Sequence, residues 1–165
     1  MEKTVRTTSG TSLLDRDLTA TADGYSDRGW NVATTANGIS LITDADVAGI
    51  EIPAEHADAV RHYMRANQMV GPVIELPGTP SREIHLVTGI ANASMAIAAL
   101  RAIGAIVHMD GAGIPLPPTQ LVAGSARWSV SPEESRWLPP VVAVGAAVRA
   151  VTSARWSESA RRVAS

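Results

Sequence analysis

The 165-residue sequence predicts a single domain of the α/β (α+β) class, a mixed β-sheet flanked by helices. Three observations predict it. Short runs rich in Val, Ile and Thr alternate with longer runs whose apolar residues recur at helical spacing. Gly, Pro and Asn-Gly punctuate the boundaries, as turns and helix ends require. An apolar content of 45% over 17.2 kDa suffices to bury a core without covalent staples. The expected domain spans residues 11–157, between flexible ends at 1–10 and 158–165.

The elements follow in order. Leu13, Leu14, Leu18, Ala22 and Tyr25 fall at helical spacing behind Thr11 or Ser12 as cap, predicting a helix that ends before Gly29. Strands are expected at 31–35, 39–43 and 47–52, the first two joined by Asn37-Gly38, a strong hairpin signal. Pro53 opens a helix bearing Ala57, Val60 and Met64, which stops at Gly71-Pro72. Residues 73–76 and 84–87 read as strands around the turn Pro77–Ser81. Asn92 or Ser94 caps a helix carrying Ile97, Leu100 and Ile103, closed by Gly104. A strand at 105–109 follows. The stretch 111–119 is too rich in Gly and Pro for a regular central strand. Leu121–Ala123 and Ala126–Val130 are expected to pair around Gly124-Ser125, and a last helix runs from Pro139-Pro140 to about Arg155.

Composition removes several function classes. No Cys occurs, which excludes disulfides, thiol nucleophiles and thiolate metal sites. The most apolar run, Leu138 to Val148, is stopped by Arg149, well short of the roughly 20 residues of a membrane span. The N-terminal residues lack the apolar core of a signal peptide, so a soluble cytoplasmic protein with no membrane contact is the expectation. The charge is uneven. Residues 1–100 carry 7 basic and 12 acidic side chains, and residues 101–165 carry 7 and 4. Arg149, Arg155, Arg161 and Arg162 form either a solvated helix face or forks suited to phosphate. Overall acidity and 4% aromatic content speak against a broad nucleic-acid-binding stripe.

Candidates for chemistry are few. Asp44, Asp46, Glu51 and Asp110 stand near strand ends, and the histidines are His56, His62, His85 and His108. If neighbouring strands turn the same faces together, Glu51, His85 and His108 with Asp110 converge, a set suited to a divalent metal or a phosphate. Taken singly, each has a plainer role as a hydrogen-bonded sheet residue or a solvated helix-entrance acid. No P-loop, GxGxxG or Ser-His-Asp order is present.

Thr79-Pro80-Ser81, with His85 four residues beyond Ser81, resembles the Thr-Pro-Ser-Gly-Gly-x-His turn and strand of the primase–polymerase domain. That domain is the N-terminal part of bifunctional DNA primase/polymerases and has the archaeo-eukaryotic primase-like fold. DGAGIPLPPT (110–119), followed by Gly124 and Arg127-Trp128, is similar to that family's Gly-Gly, apolar strand, Pro-Pro-Ser, Gly, aromatic-Trp order. NGISLITDADVAGIEIPAEHADAV looks like its acid-bearing strand and helix, and RGW at 28–30 like its N-terminal Gly-Trp. The likeness covers roughly residues 13 to 140.

The resemblance implies a phosphate contact at His85, with Ser81, Arg82 and Arg127 beside it, on the open face of the sheet next to the Thr79–Ser81 turn. It also implies three metal-binding acids, of which only Glu51 is present; Pro53 and Ile106 occupy the other two positions. Arg82 and Glu83 replace the motif's two glycines, and the family's lysine-proline segment has no room before Glu51. Two-metal nucleotidyl transfer requires several carboxylates. The expectation is therefore a degenerate, non-catalytic domain that binds nucleotide or single-stranded nucleic acid as an accessory protein. One alternative is a protein-interaction or homodimerising module using the C-terminal helix face of Val141, Val144, Val148 and Val151. Another is an active nucleotidyltransferase in which Glu51 with Asp44, Asp46 or Asp110 holds Mg²⁺ or Mn²⁺.

Overall fold

The computed structural model describes residues 13–163; the proposed flexible N-terminus lies outside them. Four helices, α1 (Leu13–Ser26), α2 (Ala54–Ala66), α3 (Ser94–Ala102) and α4 (Val141–Val163), accompany ten strands in an α+β arrangement. The strands are β1 (Val32–Thr35), β2 (Gly38–Ile42), β3 (Ala48–Ile52), β4 (Val73–Leu76), β5 (Arg82–Val87), β6 (Ile106–His108), β7 (Gly113–Leu116), β8 (Gln120–Leu121), β9 (Gly124–Ser125) and β10 (Arg127–Val130).

The strands divide among three sheets. The largest has the order β10-β4-β5-β3-β6 with every ladder antiparallel, and β1-β2-β7 form a smaller sheet. β8 and β9 form a separate two-stranded ribbon. This differs from one continuous sheet. The Gly- and Pro-rich stretch at 111–119 contributes β7, an edge strand that pairs only with β2. Residues 126–130 pair with β4 and not with 121–123, because the ribbon closes on itself around Gly124. α4 runs on to Val163, beyond the expected stop near Arg155 and through most of the proposed flexible C-terminus.

The large sheet is covered on both faces, which makes three layers. Ala48, Ile50, Ile52 and Val87 meet Val60 and Met64 of α2, Ile97 and Leu100 of α3, and Val141, Val144, Ala147 and Val148 of α4. Ile74, Leu76, Ile84 and Leu86 on the other face meet Ile39, Leu41, Ile114 and Leu116 of the small sheet, with Ala22 and Tyr25 of α1. Gly49 lets the two sheets approach: a Cβ there would stand 2.5 Å from Ile114 Cδ1 and 2.8 Å from Ile84 Cγ2. The α4 valines expected to be a partner surface are consumed in this core, with Val141 and Val144 fully buried. Among the described residues, no helix is long and apolar enough to cross a membrane.

Candidate functional site

Register decides which polar residues meet. Glu51 pairs across the ladder with Ile84 on one side and Ile106 on the other, whereas His85 pairs with Ile50 and Val73. Cross-strand partners share a face, so Glu51 and His85 lie on opposite sides of the large sheet. The expected convergence of Glu51, His85 and His108 therefore splits. Glu51 and His108 face the small-sheet side; His85 faces the helices with Glu83, and Arg127 joins them on that side through its pairing with Glu75.

On the small-sheet side, Glu51 is 6% exposed, on the central strand β3. Arg82 Nη1 donates to its Oε1 at 2.9 Å, and His108 Nε2 stands 3.1 Å from its Oε2. Each carboxylate oxygen thus has one partner, which is how a buried carboxylate is tolerated. The Arg82 side chain remains 52% exposed, so the outer edge of its planar fork is open to solvent. A cleft of about 220 Å³ opens beside this group, lined by Glu51, Pro53, Pro80, Arg82, Gly104 and Ile106. All three positions at which the primase–polymerase resemblance expects acids border this one cleft. Two of them are apolar. Asp110 follows β6 in an exposed turn with a left-handed backbone (φ 57°), and Asp44 Oδ1 accepts from the N–H groups of Asp46 and Val47 in its own turn. Among the described residues no group of three or more His, Asp or Glu side chains is arranged to hold a metal ion.

On the helix side, His85 is 3% exposed and sits beneath α2, not on an open face. Burial, with a smaller push from the Arg61 guanidinium, lowers its pKa from 6.5 to about 4, so the ring is neutral at pH 7. Its Nε2 lies 4.0 Å from Glu83 Oε2, and neither atom has a hydrogen-bond partner among the described residues. Glu83 Oε1 instead receives Arg61, which also bonds Asp58. Burial raises the Glu83 carboxyl above its usual range, with Arg61 partly opposing the rise. Ser81 lines a separate cleft of about 260 Å³ with Asp58, Arg61, Glu75 and Glu83, and Arg127 lies exposed with Nη2 3.4 Å from Glu75. His85 is thus enclosed beside Glu83 and does not stand on the open face of the sheet where the resemblance puts it.

The motif tryptophans have structural work. Tyr25 stacks on Trp30 and meets Trp128 edge-on, with ring centroids 5.8 and 6.0 Å apart. Trp128 Nε1 donates to Tyr25 Oη at 3.2 Å, and Tyr25 Oη donates to the Pro117 carbonyl at 2.7 Å. The segments 28–30, 117–118 and 127–128 are thereby locked together around α1. Glu51 and His108 meet as strand alternation leads one to expect, whereas no local pattern in the sequence marks Arg82 as the second partner of Glu51. No protein-family model matches the chain, and comparisons with curated proteins and with solved structures returned no match.

Proposed function

We propose that the chain is a non-catalytic, primase–polymerase-like domain that binds a nucleotide or single-stranded nucleic acid as a cytoplasmic accessory protein. The phosphate contact moves from His85 to Arg82. One observation carries this reading: the cleft bordered by Glu51, Pro53 and Ile106 has a guanidinium on its only acid. A fixed positive charge on Glu51 stands where a divalent cation would otherwise neutralise phosphate oxygens. With one carboxylate already engaged by Arg82 and His108, the cleft offers an anion the remaining donors of the half-exposed guanidinium and lacks the ligand set for metal-dependent transfer. Exposed Ile106 and Pro80 give the cleft an apolar wall, on which the ring of a bound base would rest.

Fluorescence anisotropy with labelled oligo-dT, competed by deoxynucleoside triphosphate, tests the reading. Arg82→Ala is expected to weaken binding about ten- to a hundredfold, the loss of a charge-assisted contact worth roughly 1.5–3 kcal/mol. His85→Ala should leave affinity unchanged in the folded fraction. No incorporation of labelled nucleotide is expected with Mg²⁺ or Mn²⁺. Absence of binding by the wild type, or equal binding by Arg82→Ala, would refute the proposal, as would template-dependent synthesis that vanishes in Glu51→Ala.

A further inference from the structure

The large sheet ends at β10 on one side and at β6 on the other. The two edges differ. β10 carries the charged Arg127 and a bulge between Trp128 and Val130, devices that discourage a further strand. Residues 105–109, which make up β6 and its flanks, hold no Pro and no Lys, Arg, Asp or Glu, and Ile106 is 52% exposed there. The ladder also fixes which backbone groups of β6 face outward. Leu86 N–H donates to the Pro72 carbonyl on the β4 side. Bonded and non-bonded pairs alternate along an antiparallel ladder, so His85 turns its backbone groups to Ile50, and Gly49 and Glu51 turn theirs to β6. His108 and Ile106 receive those, and Val107 directs both its N–H and its C=O away from the sheet. On either side of Val107 one group of each residue is already used: Ala105 N–H donates to the Leu100 carbonyl at 3.1 Å, and the Met109 carbonyl accepts from Ala112 at 3.2 Å. The Ala105 C=O and the Met109 N–H are left.

We infer that β6 pairs antiparallel with β6 of a second copy of this chain, about a two-fold axis at Val107. Backbone donors and acceptors on a sheet edge are matched only by an extended strand. The strand that fits these is the same one reversed. Val107 of each copy exchanges both bonds with Val107 of the other, and the free Met109 N–H of one copy falls opposite the free Ala105 C=O of its mate. Ile106 then lies across from His108 of the other copy, which withdraws exposed apolar surface from water. Self-pairing brings no like charges together: Asp110, the first charged residue beyond the strand, falls opposite Gly104. The contact is isologous, so it closes at a dimer with one ten-stranded sheet. It does not rest on the function proposed for the Arg82 cleft, and its test contains no nucleotide.

Sedimentation velocity over a concentration series tests the pairing. A contact this short belongs to the small, weak class of interfaces, so the series runs from about 10 μM to about 1 mM. The sedimenting mass should rise toward twice that of one chain. The amide NMR signals of Val107 and Met109 should shift along the series, while those of Arg127 and Ser129 on the opposite edge stay fixed. Val107→Pro removes the outward N–H and leaves the bonds that Ile106 and His108 make to β3, and Ile106→Lys places a charge on the exposed edge. Both should abolish self-association with the circular dichroism of the wild type retained; if the proline variant fails to fold, the lysine variant decides. A wild type that stays monomeric at the top of the series leaves the edge to a strand of another protein and overturns the inference. Self-association that survives in either folded variant, or that shifts amides elsewhere and not at Val107, overturns it as well.

Discussion

His85 shows how one residue's role turns on its neighbours. The folded chain holds its ring neutral down to about pH 4, while the unfolded chain takes up a proton near 6.5. Between those values the unfolded state binds more protons, so the His85 contribution to stability is fully present above 6.5 and lost as pH falls through the folded value. The difference amounts to roughly 3 kcal/mol over the window. Glu83 acts with the opposite sign: its raised carboxyl favours the protonated folded form, and that contribution fades as pH rises past the ordinary carboxylate range. Urea unfolding of wild type and His85→Leu in parallel isolates the histidine. The stability difference between them should shift in favour of the variant as pH drops from 7 toward 4, and a constant difference would show that the ring is accessible and ordinary. Within β5 the alternation of Ile84 and Leu86 against His85 and Val87 was legible in the sequence. Which of the two sets shared a face with Glu51 was not, because that depends on the pairing register with β3, and a shift of one residue exchanges the faces.

Elements show the same division between local and non-local information. The Asn37-Gly38 hairpin, the helix opened by Pro53 and the helix closed by Gly104 follow from turn chemistry and capping, and each stands where its residues call for it. The fate of 111–130 does not follow from local preference. Thr119, just past β7, ties the end of its ladder to β2: its buried Oγ1 receives Ile39 N–H at 2.8 Å and lies within hydrogen-bond distance of the Ile39 and Leu116 carbonyls. No local pattern marks a threonine that serves a strand 80 positions away. Thr119→Val, nearly the same shape without the hydroxyl, should cost about 1–3 kcal/mol by stranding these buried groups. Gly38→Ala should cost as much or more, because its Cβ would lie 2.5 Å from Thr119 Cα, a backbone atom that has no flexible end to move. Thermal unfolding measures both, and a glycine variant as stable as the wild type would mean that the hairpin sits farther from residue 119.

For the whole molecule, the large sheet is a partition. Its inner strands β3 and β5 are buried on both faces, polar Glu51, Glu83 and His85 included, so the sequence revealed strands and helices but not the three-layer stacking that covers each side. The same ambiguity applies to α4, whose valines fit a partner surface as well as a core until α2 and α3 are seen against them. An intramolecular role and an intermolecular one predict different responses to a charge. Val144 is fully buried between the helices and the sheet, so Val144→Asp places a carboxylate where no partner is available to neutralise it. The expected result is loss of the cooperative thermal transition and of near-UV circular dichroism, at any protein concentration, since the damage lies within each chain. A dimer held by this face would behave otherwise: the variant would keep its fold and sediment as a monomer at half the mass of the wild type. Sedimentation velocity together with circular dichroism on the two proteins separates these outcomes, and a folded, dissociated Val144→Asp chain would overturn the placement of α4 in the core.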